Sequence, residues 1–314
     1  MSARASDIDV AVAAAEPAEP GFLLRAARRV RSDPLGLLGL LLVLLVLFCA
    51  AFGPALAPYN PFKIRVSDRY LEPSVLQLFG AADKGQAVLS HVFGTDNLGR
   101  DVFSRVLTGT QIALGVGAGS IAIALVIGLV LGLVAGYGPR WIDNLLLLLF
   151  DSIYSFPTVM LGLTVMTLLG PSIGVLMLVV VVIQTPAYAR LIRTATLSTK
   201  SSEYVLAIRS LGGSPGRILL VHILPNIIGP LFIIASMDIP SVIALEAGLT
   251  YLGLGIPPPT PSWGRILQEG FDSIRDAPWI VVAGGIPLIL TTLGFTFLGE
   301  ALRDLLDPKL RRIV

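Results

Sequence analysis

The sequence predicts an all-α membrane protein in which six helices cross the bilayer. Of its 314 residues, 54% are hydrophobic and 14% are charged, and the mean hydropathy is +0.81. One soluble core cannot bury that much apolar surface. The formal net charge is only +2, which gives no basis for nucleic-acid binding. The composition therefore argues against a soluble enzyme and favours a polytopic membrane protein.

Six apolar segments are each long enough to cross the hydrocarbon layer, which is about 30 Å thick and needs roughly 20 residues of helix. The first is longer than the apolar part of a signal peptide, so we interpret it as a retained anchor. The predicted spans are 35–57, 112–137, 145–169, 173–192, 227–254 and 280–298.

The basic residues indicate how these spans are oriented. With the N-terminus inside, 15 of the 23 lysines and arginines lie on the cytoplasmic side, as the positive-inside rule requires. We therefore predict that both termini are cytoplasmic. The predicted organisation is a tail at 1–34, a first transmembrane helix at 35–57, an external loop and helix entry at 58–111, a core at 112–300 that contains an internal loop at 193–226, and a tail at 301–314.

Few residues are available for metal or cofactor chemistry. Cys49 is the one cysteine, and His91 and His222 are the two histidines, so neither an intrachain disulfide nor a Cys/His metal site is predicted. The phosphate-binding pattern G-x4-G-K-[ST] does not occur. We predict no cofactor, metal or catalytic residues in this chain.

The external segment reads HVFGTDNLGRDVFSRVLTGTQIALGVG from His91. Its glycines permit tight turns, and its charges can pair where the second span begins. The residues concerned are Gly94, Asp96, Gly99, Arg100, Asp101 and Arg105.

Glycines within the second span recur at helical spacing. Gly128, Gly132 and Gly136 share one face, as do Gly115 and Gly119. Small residues let helices approach closely in lipid, so we expect these faces to pack within the bundle or against a partner.

The internal loop reads SSEYVLAIRSLGGSPGRILLVHILPN over residues 201–226. Ser202 can cap a helix at 203–211, and Gly212-Gly213 can end that helix in the left-handed conformation. Pro215 then suits the start of a second helix. We predict a helix–turn–helix protrusion, with an amphipathic helix on the lipid surface as the alternative.

Three acids are predicted at membrane depth, where a charge costs about 2.5 to 3.5 kcal/mol and therefore faces protein or water. Asp238 and Glu246 could line a route and meet an amino group or another cation. The alternative is hydrogen bonding between helices. For Asp151, the alternative to a place on the route is pairing with Arg140 or another base.

The internal loop resembles that of permease subunits of ATP-binding-cassette importers. The general family pattern E-A-A-x3-G-x9-I-x-L-P aligns its glycine with Gly212, although Leu206 stands at the acid and His222 at the late isoleucine. The dipeptide, oligopeptide and nickel branch is more similar, because its pattern YVxAxRxLGxS…HILPN matches from Tyr204 to Asn226.

Two further stretches resemble the same branch. Residues 93–109 match FGTDxxGRDxxSRxxxG, and the run that begins at Glu246 is similar to EAxLSFLGLGxxPPxPSWG. The first pattern is typical of one of the two paralogous permeases in these importers.

The resemblance implies the type I importer permease fold, in a multi-pass protein of the bacterial inner membrane. It implies three kinds of protein partner: a paralogous permease in a heterodimer, cytoplasmic ATPase subunits and an extracytoplasmic solute-binding protein. Dipeptides or short oligopeptides are the expected cargo, with nickel complexes or other small solutes as the alternative. An ion-coupled secondary transporter is the alternative of another class, but it gives no reason for the internal protrusion.

In that family, the protruding helix docks into a groove of the ATPase and transmits its motion to the membrane helices. The resemblance assigns this coupling to Glu203, Tyr204, Ala207, Ile208, Arg209, Leu211, Gly212 and Gly213. We expect Tyr204, Ile208 and Leu211 to form the apolar contact. His222 and Pro225 are expected to pack at the end of the loop, and His222 is not expected to bind metal.

Overall fold

The computed structural model describes residues 30–77 and 91–303. The predicted tails lie outside the described residues over 1–29 and 304–314, and so does the part of the external loop at 78–90. Within the described ranges, the secondary structure is helical apart from one isolated bridge between Thr95 and Asp101.

The helices follow one another with short connections. They are α1 (Pro34–Leu56), α2 (Ser74–Gln77), α3 (Val102–Tyr137), α4 (Arg140–Tyr154), α5 (Thr158–Leu169), α6 (Ile173–Lys200), α7 (Glu203–Ser210), α8 (Pro215–Arg217), α9 (Leu224–Tyr251), α10 (Trp263–Asp272) and α11 (Trp279–Arg303). A π-helical segment, Ile218–Ile223, joins α8 to α9.

Among the described residues, five helical stretches are long and apolar enough to span a membrane, and the pair α4 and α5 makes a sixth if it counts as one span. The other five predicted spans match α1, α3, α6, α9 and α11, although α6 continues as a helix to Lys200, past the predicted end of its span at residue 192.

The third predicted span, 145–169, is divided between α4 and α5. The axes of α4 and α5 differ by 85° across residues 155–157. Pro157 causes the break, because it has no N–H to donate and it disfavours helical geometry at the preceding residue. The Ser155 hydroxyl donates to the Ser152 carbonyl at 2.7 Å, which satisfies one acceptor at the end of α4.

Helix α3 begins at Val102, ten residues before the predicted boundary. Its 36 residues would extend about 54 Å, so one end projects beyond a hydrocarbon layer of about 30 Å. Asp101 caps this helix, since its Oδ2 accepts from the Ser104 N–H at 2.7 Å. The second half of the external motif is thus the first part of a long helix.

The predicted glycine face of α3 packs against α6 within this chain. A Cβ on Gly128 would lie 2.7 Å from the Cβ of Tyr188, and one on Gly136 would lie 2.7 Å from the Cβ of Thr196. Gly132 lies against Ala189 and Ile192 in the same way. Gly119 approaches only Met177, and Gly115 has open space. The close packing fixes α3 and α6 as one unit.

The bundle positions two functional regions at opposite ends of α9. The internal loop lies before Leu224, and the segment containing α10 follows Tyr251. The 28 residues of α9 separate these ends by about 42 Å. Within the described residues, the two regions are therefore separated by the length of a membrane helix.

Candidate functional site

Helix α7 and its turn form the tip of the internal loop. The helix ends at Ser210, and Gly212 has φ of +83°, which glycine adopts without strain. The Gly213 N–H donates to the Ile208 carbonyl at 3.0 Å and closes the turn. The predicted side-chain cap is wrong, because the Ser202 hydroxyl donates to the Thr199 carbonyl at 2.6 Å instead.

The two faces of α7 differ in burial. Val205 is 2% exposed and Ile208 is half-buried, and both pack against the main core. Tyr204, Leu206 and Leu211 are exposed, Leu211 at 88%. Ile208 was predicted to belong to the exposed apolar face, but it points inward, and Leu206 takes that place. Of the remaining predicted coupling residues, Glu203, Ala207, Arg209 and Gly212 are exposed and Gly213 is half-buried.

A small hydrogen-bonded cluster closes the base of the loop. Asn226 donates from Nδ2 to the Tyr204 hydroxyl at 2.8 Å and to the His222 carbonyl at 2.8 Å. The Tyr204 hydroxyl donates to the same carbonyl at 3.3 Å. His222 therefore contributes its backbone, and Pro225, expected to pack, is an exposed residue in the first turn of α9. Asn226 was missed as a site residue, although it ends the matched motif.

On the other side of the bundle, Asp96 organises the external motif. Its Oδ1 accepts from the backbone N–H groups of Leu98 and Arg100 at 2.8 and 3.0 Å. Its Oδ2 accepts from Arg100 Nε at 2.7 Å and from Arg105 Nη1 at 2.5 Å. The predicted charge pairing is therefore present for these three residues, all nearly buried.

Tight turns on both sides of Asp96 depend on glycine. Gly94 and Gly99 have φ of +71° and +72°, as the motif predicted. A Cβ on Gly99 would lie 1.7 Å from the Arg65 carbonyl oxygen. No other residue fits there without moving the backbone.

Glu269 of α10 completes this buried cluster and was missed in the sequence. Its Oε2 accepts from Arg105 Nη1 at 2.5 Å and from Arg100 Nη2 at 3.0 Å, and its Oε1 accepts from Arg265 at 3.3 Å. Burial by itself would raise the pKa of Glu269, but Arg105 and Arg100 outweigh burial and hold that pKa below its ordinary value. Glu269 follows Arg105 by 164 positions in the sequence. No motif of neighbouring residues could therefore predict that these two side chains meet.

Asp101 pairs differently from the prediction. Its Oδ1 lies 2.8 Å from Nδ1 of His91, and its Oδ2 caps α3, so within the described chain it pairs with no arginine. The His91 ring stacks on Tyr59, with centroids 4.5 Å apart. Asp101 thus joins the chain after α1 to the start of α3.

The three acids at membrane depth have different surroundings. Glu246 is fully buried, and its Oε1 accepts from the Thr250 hydroxyl at 2.9 Å. This bond lies within α9, so both alternatives for Glu246, lining a route and hydrogen bonding between helices, stay predictions. Asp238 is half-buried and accepts from the Tyr188 hydroxyl at 2.8 Å. Asp151 is exposed and pairs with Arg190 at 2.7 Å, not with Arg140.

Two family models match this chain. "Binding-protein-dependent transport system inner membrane component" matches residues 128–312, and "N-terminal TM domain of oligopeptide transport permease C" matches residues 21–73. The chain belongs to the binding-protein-dependent transport permeases. The predicted function, a multi-pass permease subunit of an ATP-binding-cassette importer, is confirmed.

Relatives of this permease are similar over nearly its whole length. The dipeptide transport system permease protein DppC of Alkalihalophilus pseudofirmus is 34% identical over 91% of this chain and 90% of the relative. The di/tripeptide transport system permease protein DppC of Pseudomonas aeruginosa is 37% identical over 87% and 88%. The glutathione transport system permease protein GsiD of Escherichia coli is 37% identical over 90% and 89%.

A solved structure of the MetNI methionine ABC transporter in an inward-facing conformation is also similar. It covers 63% of this permease and 96% of its own chain, at 17% identity and a TM-score of 0.48.

The site residues of the permease thus form two separate groups. Asp96, Arg100 and Arg105 meet Glu269 in one buried cluster, whereas the loop residues surround an exposed tip. Across the described ranges, no three His, Cys, Asp or Glu side chains are arranged to hold a metal ion.

Proposed function

We propose that this permease forms half of the pathway for dipeptides or short oligopeptides and couples ATP hydrolysis in partner subunits to alternating access. The names of its relatives support the cargo, because dipeptides, tripeptides and glutathione are all short peptides. The partners we propose are a paralogous permease, cytoplasmic ATPases and an extracytoplasmic binding protein. The permease itself is not an enzyme in this proposal.

The coupling role is supported by the two faces of helix α7 in the internal loop, one exposed and one packed in the core. Its exposed side chains are apolar at Tyr204, Leu206 and Leu211, and apolar surface of this kind is buried when a partner docks. Val205 anchors the same helix in the core of the bundle. A force applied to the exposed face of α7 would therefore reach the membrane helices through the packing of Val205 in the core.

In this proposal, the loop and both termini are cytoplasmic, and the Asp96–Arg105–Glu269 cluster is extracytoplasmic. Motion of the ATPases displaces α7, and this displacement passes to α9 through the cluster at the base of the loop and to α6 through the Ser202–Thr199 hydrogen bond. The buried ion network holds α10 against α3 at the outer end. The binding protein then meets a rigid surface there, while the inner end moves.

The test replaces Gly212 by Val in the complete transporter, purified and reconstituted in vesicles. A β-branched residue is strained at φ of +83°, so the exposed tip is displaced without a change in the core. We expect ATP hydrolysis to continue while ATP-driven uptake of labelled dialanine falls about tenfold or more. Arg209→Glu, which reverses an exposed charge on the same helix, should act in the same direction.

Gly216→Val is the matched control. Gly216 is also exposed with open space around it, but it does not have positive φ, so uptake should stay within about twofold of the parent protein. Normal coupling in both Gly212→Val and Arg209→Glu would overturn the coupling role. Purification of the permease without any ATPase, with uptake driven by a proton gradient alone, would overturn the whole proposal.

A further inference from the structure

Polar side chains from α4, α6 and α9 meet inside the part of the bundle that the structure describes. The Tyr188 hydroxyl of α6 donates to Asp238 Oδ2 of α9 at 2.8 Å. Arg190, two residues after Tyr188, donates from Nη2 to Asp151 Oδ1 of α4 at 2.7 Å. Tyr154 of α4 connects the two pairs, since the Arg190 guanidinium lies 4.7 Å from its ring centroid and Asp238 is within electrostatic range.

These groups lie deep along their helices. Asp238 is fourteen residues after Leu224, about 21 Å along α9, and Tyr188 is fifteen residues after Ile173, about 22 Å along α6. Arg190 is ten residues, or about 15 Å, before the end of α6. Asp238, Tyr188 and Arg190 are therefore far from both ends of α9 and α6, whereas Asp151 and Tyr154 lie in the last turn of α4, beside the break at residues 155–157.

The cluster is open on one side. The side chains of Arg190 and Asp151 are 36% and 69% exposed in this chain, and Asp238 is half-buried. Charged groups at this depth do not face hydrocarbon, because the free-energy cost is several kcal/mol. The open side therefore faces water or another subunit, as the wall of a route does.

Hydrogen-bonding capacity remains unused at both ends of the cluster. Within the described residues, Asp238 Oδ1 accepts no hydrogen bond, and Arg190 uses only Nη2. Arg190 Nε is buried without a partner. An ammonium group matches the free carboxylate oxygen, and a carboxylate matches the guanidinium, where it would replace the largely exposed Asp151.

We propose that Asp238 and Arg190 form a dipolar subsite for a solute that carries both a primary ammonium and a carboxylate group. Tyr188 orients Asp238, and Tyr154 supports the guanidinium from its ring face. A short peptide with two free termini has this chemistry. The subsite rests on the proposed peptide cargo and adds which groups of the cargo the permease binds.

The test compares three probes in vesicles that contain the complete transporter with saturating binding protein. The probes are dialanine, N-acetyl-dialanine and dialanine amide, and the measurement is ATP-driven uptake by each variant relative to the parent protein. The variants are Asp238→Asn and Arg190→Gln. Asp272→Asn, an exposed acid at the end of α10, is the matched control and should leave all three ratios near one.

We expect opposite selectivity from the two variants. Asp238→Asn should lower uptake of dialanine and dialanine amide about tenfold, the effect of losing one charge-assisted hydrogen bond, and should spare N-acetyl-dialanine. Arg190→Gln should lower uptake of dialanine and N-acetyl-dialanine and spare the amide. Tyr188→Phe, which keeps the ring, should repeat the Asp238→Asn pattern at about threefold.

Three results would overturn the subsite. Equal losses for all three probes would indicate a purely structural role, and unchanged uptake in both variants would exclude substrate contact. If Asp238→Asn or Arg190→Gln does not fold, Tyr188→Phe and Arg190→Lys give the same comparison. ATP-driven uptake of none of the probes by the parent protein would overturn the peptide cargo and the subsite together.

Discussion

The two ends of this permease use their polar and apolar residues in opposite ways. At the proposed outer end, the Asp96–Arg105–Glu269 cluster (the outer cluster) is buried and paired within the chain, so that Asp96 and Arg105 are 0% and 1% exposed. At the internal loop, apolar side chains are exposed, and Leu211 reaches 88%. The outer cluster pairs its charges within the chain, whereas the loop exposes apolar surface, on which we propose that the ATPase docks. In the proposed mechanism, the end with the buried ion pairs stays rigid and the internal loop transmits motion.

The largest effect is expected from breaking the outer cluster. Arg105→Met removes the guanidinium that Asp96 and Glu269 share and leaves two buried carboxylates with fewer partners. Loss of one member of a buried ion pair costs about 3 to 5 kcal/mol. Thermal unfolding in detergent, followed by tryptophan fluorescence, should show this loss. Arg65→Met is the control, because its contact with Asp68 is 3.7 Å long and exposed; equal stability of both variants would contradict the structural importance of the cluster.

A smaller effect is expected from acid. Arg105 and Arg100 hold the pKa of Glu269 below its ordinary value, so the folded state favours the charged form more than the unfolded state does. This stabilisation is fully present above the unfolded pKa of about 4.3 and is lost as pH falls through the lower folded pKa. Glu269→Gln should flatten this acid dependence of the unfolding midpoint. A variant with the same pH profile as the parent protein would exclude Glu269 as its source.

Substitutions in the internal loop should lower stability less than substitutions in the outer cluster, and they should affect coupling more. Tyr204→Phe removes the hydroxyl that bonds Asn226 and His222 and should cost about 1 kcal/mol. We expect the number of ATP molecules hydrolysed per imported peptide to rise, because α7 is less firmly joined to α9. Tyr59→Phe, a change of the same kind near the outer cluster, is the comparison. A coupling ratio that is equal in the two variants would argue against the loop cluster as a mechanical connection.

The smallest change in stability is expected for Leu211→Ser. Its side chain is almost fully exposed, so the free energy of unfolding should change by less than about 0.5 kcal/mol. Association with the ATPase should nevertheless weaken, as measured by its recovery with the tagged permease in mild detergent. Val205→Ser should instead lower the stability of the permease strongly, because Val205 is buried. Undiminished recovery with Leu211→Ser would remove this side chain from the docking surface.

Local features of the sequence were sufficient for much of this description. The length of the apolar runs predicts the spans, and the left-handed turns at Gly94, Gly99 and Gly212 follow from their motifs. Each of these features depends on residues close together in the chain. One error occurred where a local rule had to compete with its neighbours: the Ser202 hydroxyl donates to the Thr199 carbonyl of the preceding turn and does not cap α7.

What the sequence determined by itself is a polytopic helical permease, the position of its internal loop and the charged residues of its external motif, because span length and motif spacing are local. Only the tertiary structure decided which groups meet: Glu269 with Arg105, Arg190 with Asp151, and Tyr188 with Asp238. It also decided that Ile208 and Glu246 face inward while Leu206 faces outward. Neighbouring residues on a helix point about 100° apart, so the rotation of each packed helix determines whether a side chain is buried or free to act.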